Sequence, residues 1–219
     1  MTTQKPVIAV LGGTGNEGPG LAMRWANAGY KVIIGSRQAQ KAETTAAELN
    51  QKLGTNTIIG KENTAAARSA DICVLTVVAS AHQPALEGLK DVLEGKILVD
   101  ATARLSFPNL NPPEPPSAAE IAQEILGPSV RVVAAFQNVP AHTLRDINEP
   151  VPSDVLVCSN DIDAAKQVIQ LANDGKMGAY YAGTLANAIT IEGFTSLLIV
   201  MNKHYKVKNA SIGITGIHS

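Results

Sequence analysis

An alternating α/β fold built on a mostly parallel sheet is predicted from three features of the 219-residue chain. Short unbroken apolar runs rich in β-branched residues recur along it: VIAVL at Val7–Leu11, KVII at Lys31–Ile34, DICVLTV at Asp71–Val77 and RVVAA at Arg131–Ala135. Such runs suit strands buried on both faces. Amphipathic stretches of helical length separate them, the signature of β–α–β units. The first run is also followed at once by GGTGNEGPG, a glycine-dense turn that leads into the helical LAMRWANA.

That turn carries the first chemistry. Gly13, Gly15 and Gly18 satisfy G-x-G-x-x-G, with Gly12 in front. The first glycine allows a sharp turn, the second lets backbone approach a pyrophosphate, and the third lets helix and strand pack closely. Pro19 fits a first helical turn, where its missing N–H has no helical partner. The unpaired N–H groups of the helix Leu21–Ala28 then face whatever sits over the glycines. Strand, glycines and helix together predict a Rossmann-like dinucleotide site.

The end of the second strand refines the ligand. A binder of unphosphorylated NAD usually places Asp or Glu there to accept the ribose 2′-hydroxyl. No acidic residue occurs between Glu17 and Glu43, and Ser36, Arg37 and Lys41 stand there instead. An arginine forks onto a phosphate and a lysine adds a point charge. Both cations stand at a helix start, where positive charge is unfavourable without an anion nearby. NADP(H) is the expected cofactor.

The remaining elements follow in order. A helix is expected over Gln38–Leu53, ended by Gly54, then a strand at Thr57–Gly60 and a short helix at Asn63–Ser69. The segment Thr76–His82 leaves the carboxyl end of the next strand, where open α/β sheets bind ligands. His82 is expected to open a helix running to Leu93, either touching the cofactor or lying at the surface. Lys96–Val99 forms the fifth strand. FPNLNPPEPP at Phe107–Pro116 holds five prolines in ten residues, which no helix or sheet interior accommodates. It is a stiff loop, either a lid or a plain connector. Ser117 and Glu120 form a capping box for a helix to Leu126. After the sixth strand, Phe136-Gln137-Asn138-Val139-Pro140 lies again on the ligand side.

From about residue 150 the pattern changes, giving a dinucleotide-binding part (1–150) and a small C-terminal α/β part (151–219). A strand is expected at Asp154–Cys158, a helix at Ile162–Ala172, a strand at Met177–Tyr181 and a long helix at Leu185–Tyr205. The last helix is apolar around too much of its circumference for a surface helix, which points to a partner subunit. The basic residues at its end, Lys203, His204, Lys206 and Lys208, complement its dipole.

Composition narrows the function classes. The net charge is −1, with 17% charged and 45% hydrophobic residues, so no electrostatic case exists for nucleic acid or an anionic membrane surface. Cys73 and Cys158 lie in apolar strand runs and are expected to be buried and reduced. MTTQKP leads straight into the first strand without a signal-peptide pattern, and a cytoplasmic location is expected. The apolar run Ile189–Met201 is short for a bilayer span and contains Glu192 and Gly193.

Taken together, GGTGNEG at Gly12–Gly18, GSRQAQKAE at Gly35–Glu43, DICVLT at Asp71–Thr76, SAAEI at Ser117–Ile121 and the tail from YAGTLANA to NKHYK resemble the NADPH-dependent F420 reductases. These F420-dependent NADP oxidoreductases pass a hydride between NADP(H) and a deazaflavin coenzyme. The resemblance spans nearly the whole chain. It implies that Thr14, Ser36, Arg37 and Lys41 hold the 2′-phosphate. Backbone around Gly15, Asn16, Glu17 and Gly18 would cradle the pyrophosphate, Gly13 would belong to the same cofactor site, and Thr76, Val77 and Val78 would adjoin the nicotinamide. The C-terminal part would help build the deazaflavin pocket and a homodimer. Two positions depart from the family: Gln137 stands where relatives commonly carry histidine, and TLANA at Thr184–Ala188 lacks the arginines of some relatives.

Direct hydride transfer needs no protein acid or nucleophile when donor and acceptor carbons are stacked within reach, so no catalytic residue is expected. Gln137 and Asn138, with Pro140 beside them, are expected to hold the acceptor. The alternatives are reduction of a flavin, or of ferric ion through a flavin, and an NADPH-sensing protein without turnover.

Overall fold

The computed structural model describes residues 5–217. Eight strands form one sheet: β1 (Ile8–Leu11), β2 (Val32–Ser36), β3 (Ile58–Glu62), β4 (Ile72–Leu75), β5 (Ile97–Asp100), β6 (Arg131–Ala134), β7 (Val155–Ser159) and β8 (Ala179–Tyr181). Their order is β3-β2-β1-β4-β5-β6-β7-β8. All neighbours run parallel except β6 and β7, which meet antiparallel where the C-terminal part joins the sheet. Thus β7 and β8 prolong the sheet of the first part. The chain winds outward from β1 to β3, then returns to lay β4 on the other flank of β1. The resulting crevice at the carboxyl ends of β1 and β4 is the switch point where such sheets take ligands.

Strand alternation divides the core in two. Ile8, Val10, Val32, Ile34, Val74 and Val99 point to one face, which is covered by α1 (Gly18–Asn27), α2 (Ala39–Leu53) and α6 (Ile162–Asp174) through Leu21, Trp25, Leu49 and Val168. Ala9, Leu11, Ile33, Cys73, Leu75 and Leu98 point to the other. There they meet α3 (Asn63–Arg68), α4 (Ala79–Leu93), α5 (Ala118–Leu126) and α7 (Ala188–Tyr205). Both cysteines are free and buried, and burial pushes the thiol pKa up to about 12 at Cys73 and about 11 at Cys158. Neither offers a thiolate near neutral pH.

Several element boundaries move. The first helix begins at Gly18 rather than Leu21, because Pro19 sits in its first turn. The fourth begins at Ala79 rather than His82, and β3 runs on to Glu62. The last strand is only Ala179–Tyr181, following Lys176, whose φ of 60° turns the chain before it. Within Leu185–Tyr205 the first three residues are 3-10 helix. The capping box at Ser117 and Glu120 is present with both of its hydrogen bonds.

Two long-range ties hold the outer half. Arg24 of α1 is 2% exposed. Its guanidinium donates to the carbonyls of Thr143, Leu144, Asp146, Glu149 and Gly175, pinning the β6–β7 connection and the end of α6. Trp25 donates from Nε1 to Leu171 O and meets the Phe136 ring edge-on at 5.8 Å between centroids.

Candidate functional site

The glycine turn folds around its own backbone. A Cβ on Gly13 would lie 2.5 Å from Val10 O, and one on Gly18 would lie 2.5 Å from the Gly13 Cα. Any side chain at either position breaks the packing of α1 on β1. Gly15 differs, since its Cβ would meet only Gly12 O at 3.7 Å. No contact within the fold requires a glycine there. Gly12, with φ of +69°, completes the turn under Val77.

A cavity of about 770 Å³ opens beside this turn, lined by Gly12, Thr14, Gly15, Ser36, Arg37, Lys41, Thr76, Val77 and Val78 among others. The structure thus gathers most of the residues expected for the dinucleotide, from three separate strand ends. Gly13 and Gly18 form the packed frame of the turn, and Asn16 is exposed but does not line the cavity. Ser36 closes β2 and is 6% exposed, while Arg37 and Lys41 project into solvent at the start of α2. Val78 is 70% exposed after β4, an apolar surface at the cavity mouth suited to a planar ring. Thr76 Oγ1 donates to Leu11 O at 3.2 Å, tying β4's end to β1's.

Among the wall residues that the sequence did not announce are Glu62 and Asn63. Glu62 ends β3 directly across from Ser36, so an acidic group does reach this corner. Its Oε2, however, accepts from the backbone of Thr64 and Ala65 at the start of α3, and its charge is spent there. Asn63 Oδ1 accepts from Gly12 N–H at 3.1 Å and would collide with a Cβ on Gly35. Both arrive through β3 pairing, which no local pattern near the second strand announces.

Glu17 precedes α1 as its N-cap residue, but its side chain makes no capping bond. Its Oε1 is shut away from solvent without a partner, and desolvation pushes its pKa up to about 8. It is not among the residues that line the cavity.

The expected acceptor residues are more deeply set. Phe136 has φ of 76°, a left-handed backbone that costs an L-residue about 1–2 kcal/mol; its fully buried ring against Trp25 holds it there. The chain therefore turns sharply after β6 and sends Gln137 and Asn138 inward, at 6% and 3% exposure. Gln137 Nε2 donates to Asp100 O, while Asn138 Nδ2 donates to Asp154 O and Ser153 Oγ. These carbonyl partners fix both amide orientations, since a flip would set oxygen against oxygen. Gln137 Oε1, Asn138 Oδ1 and, after β5, Thr102 Oγ1 are buried without partners. Together with Glu17 Oε1, these unpartnered atoms all lie in segments that follow β1, β5 and β6 at one edge of the sheet. Pro140 is half-buried.

His82 needs a correction. It neither opens α4 nor lies at the surface. At 3% exposure, its Nε2 is 2.6 Å from Asp100 Oδ2, and Asp100 Oδ1 accepts from Thr102 N–H. Once the helix starts at Ala79, the histidine falls on its inner side. Asp100 is thereby a hub between α4, the segment after β5 and Gln137.

Comparison with known proteins agrees with this arrangement. Residues 7–104 match the model of the family described as NADP oxidoreductase, coenzyme F420-dependent. The F420-dependent NADP reductase of Methanocaldococcus jannaschii is 43% identical over 96% of this chain and 98% of its own. That of Methanothermobacter thermautotrophicus is 40% identical over 96% and 95%. Among solved structures, an Arthrobacter protein described as an F420-dependent NADP reductase superposes with a TM-score of 0.81 at 26% identity, over 97% of this chain and all of its own. The chain belongs to the F420-dependent NADP oxidoreductase family.

Proposed function

We propose that the protein transfers a hydride between NADP(H) and a deazaflavin of the F420 type, acting as a cytoplasmic homodimer. The observation that carries the cofactor half is the corner at the end of β2. Ser36, Arg37 and Lys41 line a cavity whose one acidic wall residue, Glu62, is already committed to backbone N–H groups. That corner suits a phosphate and offers nothing to a free 2′-hydroxyl. Thr14 lines the same cavity and is proposed to join them. Gly15 leaves room for the pyrophosphate, and Thr76, Val77 and Val78 border the nicotinamide side.

Bound side by side, the two coenzymes would supply the redox chemistry, a direct hydride transfer between ring carbons. The chain's part is to stack them, exclude water and hold the polar edges. Gln137, Asn138 and Pro140 fill the acceptor side of that description, with residues 151–219 supporting it through β7 and α7. Leu197, Val200 and Met201 lie exposed on α7, and a second copy of the chain is the partner proposed to cover them. Among the described residues, Leu185–Tyr205 is the one helix long and apolar enough to cross a membrane; its buried ties to two loops, through Glu192 and Thr195, favour the packed reading.

NADPH deuterated at the transferred C4 position tests the reaction. Deuterium recovered in reduced F420 is the expected result, and deuterium appearing in water instead would refute direct transfer. Replacing Gln137 and Asn138 together by alanine should raise KM for F420 and leave NADPH affinity alone. A loss confined to NADPH would remove them from the acceptor side.

A further inference from the structure

Glu192 lies in the interior of α7, inside the chain's most apolar stretch, at 1% exposure. A carboxylate there costs several kcal/mol to desolvate, and a well-packed apolar residue would stabilise the helix at least as well. Its bonds reach a distant segment, the proline-rich connection between β5 and α5. Glu192 Oε2 lies 3.0 Å from Arg104 Nε and accepts from Arg104 N–H at 3.3 Å. Its Oε1 accepts from Ala118 N–H at 2.5 Å, in the first turn of α5. One carboxylate therefore grips both ends of the connection, and Arg104 Nη2 also donates to Glu114 O within it.

The residues three and four positions on share that helix face. Ser196 Oγ donates to Asn111 O, midway along the connection, and Thr195 Oγ1 donates to Gln137 O at 2.9 Å. Gly193 leaves space for Pro112, 3.6 Å from where a Cβ would sit. This polar face of α7 thus holds two loops at once, the strap 102–117 and the turn after β6. Both begin at strand carboxyl ends beside Asp100, which accepts from Gln137 itself.

We propose that Glu192 is a positioning residue for the hydride acceptor: it latches α7 to the strap and so sets the distance between α7 and the loops after β5 and β6. The claim rests on the acceptor lying at those loops, as proposed above. It explains why an anion is kept in an apolar helix, since a methylene side chain would pack without fixing a register. It also gives the prolines a use, because a stiff strap transmits the position of its anchored ends.

Glu192→Gln tests the latch with little change in volume. The amide carries one acceptor oxygen, and facing Arg104 it must turn its NH₂ towards the Ala118 N–H. Wild-type turnover of F420 is measured first and decides the reading of the acceptor. The variant should then raise KM for F420 by about tenfold or more, with kcat changed far less and NADPH affinity within about twofold. Hydrogen exchange should show lost protection at Arg104 and Ala118, with β1, β4 and β5 as protected as before. Arg104→Gln, at a half-exposed side chain, should shift the same quantities less, and serves if Glu192→Gln does not fold. Unchanged protection at 104 and 118 overturns the latch whatever the acceptor proves to be. Protection lost throughout the sheet, an equal loss of NADPH affinity, or a loosened strap with unchanged KM for F420 overturns it as well, leaving Glu192 a stabilising contact only.

Discussion

The two sides proposed for the two coenzymes are built in different ways. The side proposed for the dinucleotide is open: a glycine turn and the ends of β2 and β4 border a cavity, and Arg37 and Lys41 in its wall are exposed. The acceptor half is closed and made at long range. Its amides are buried and tied to backbone, and its loops are held by residues 58 to 88 positions away. The difference follows from what each side must recognise. A phosphate is satisfied by backbone N–H groups and a forked cation. A large flat ring needs a surface assembled from several loops, whose mutual distances must be set by something stiff.

The contrast can be broken most severely at Arg24, which ties the outer half to α1. Arg24→Met would leave five carbonyls without their donor. We expect a loss on the order of 3–5 kcal/mol in denaturant unfolding, or failure to fold. A loss under about 1 kcal/mol would show that the outer half holds itself.

Within the dinucleotide half, Gly18→Ala and Gly15→Ala separate frame from ligand. The first drives a methyl into Gly13 and should lower the melting temperature. The second meets nothing nearer than 3.7 Å, so it should melt like wild type yet bind NADPH about tenfold or more weakly. Equal melting losses would merge the two roles.

Arg37→Ala comes next. A hydrogen bond to a charged group is worth roughly 1.5–3 kcal/mol, so the preference for NADPH over NADH should fall by about 10- to 100-fold. Steady-state kinetics with both cofactors reads it directly, and an unchanged ratio would move phosphate recognition elsewhere.

Glu17 comes last, with an effect that is absent at low pH and grows as pH rises. Its folded pKa of about 8 lies above its ordinary 4.5, so the folded state binds the extra proton between those values. Stability from this group is therefore complete below pH 4.5 and is lost as pH rises through 8. Glu17→Gln should match wild type near pH 4 and exceed it progressively above pH 5, by at most about 1.4 kcal/mol per pH unit. Parallel stability curves across that range would place Glu17 in solvent.

What was legible from sequence follows the same division. The strands, the glycine turn and the phosphate corner declare themselves over a few neighbouring residues, by period and residue type. Helix starts at Gly18 and Ala79 lie about one turn before the positions that the local pattern suggests. The burial of His82 is not legible locally, because its partner, Asp100, comes from β5. Glu62 and Asn63 enter the cavity through the pairing of β2 with β3, which no motif records. Glu192 was visible as a charge in an apolar run, yet nothing in that run names Arg104 or Ala118. Arg24 was equally silent inside LAMRWANA, because its five partners lie 119 to 151 residues downstream.

The most direct measurement mixes the purified protein with NADPH and oxidised F420 and follows the deazaflavin absorbance band. The account predicts that the band bleaches at a rate that depends on both coenzymes, and far more slowly when NADH replaces NADPH. A band that stays unchanged while NADPH binds tightly would contradict it, and would leave the protein a binder of NADPH rather than a reductase of F420.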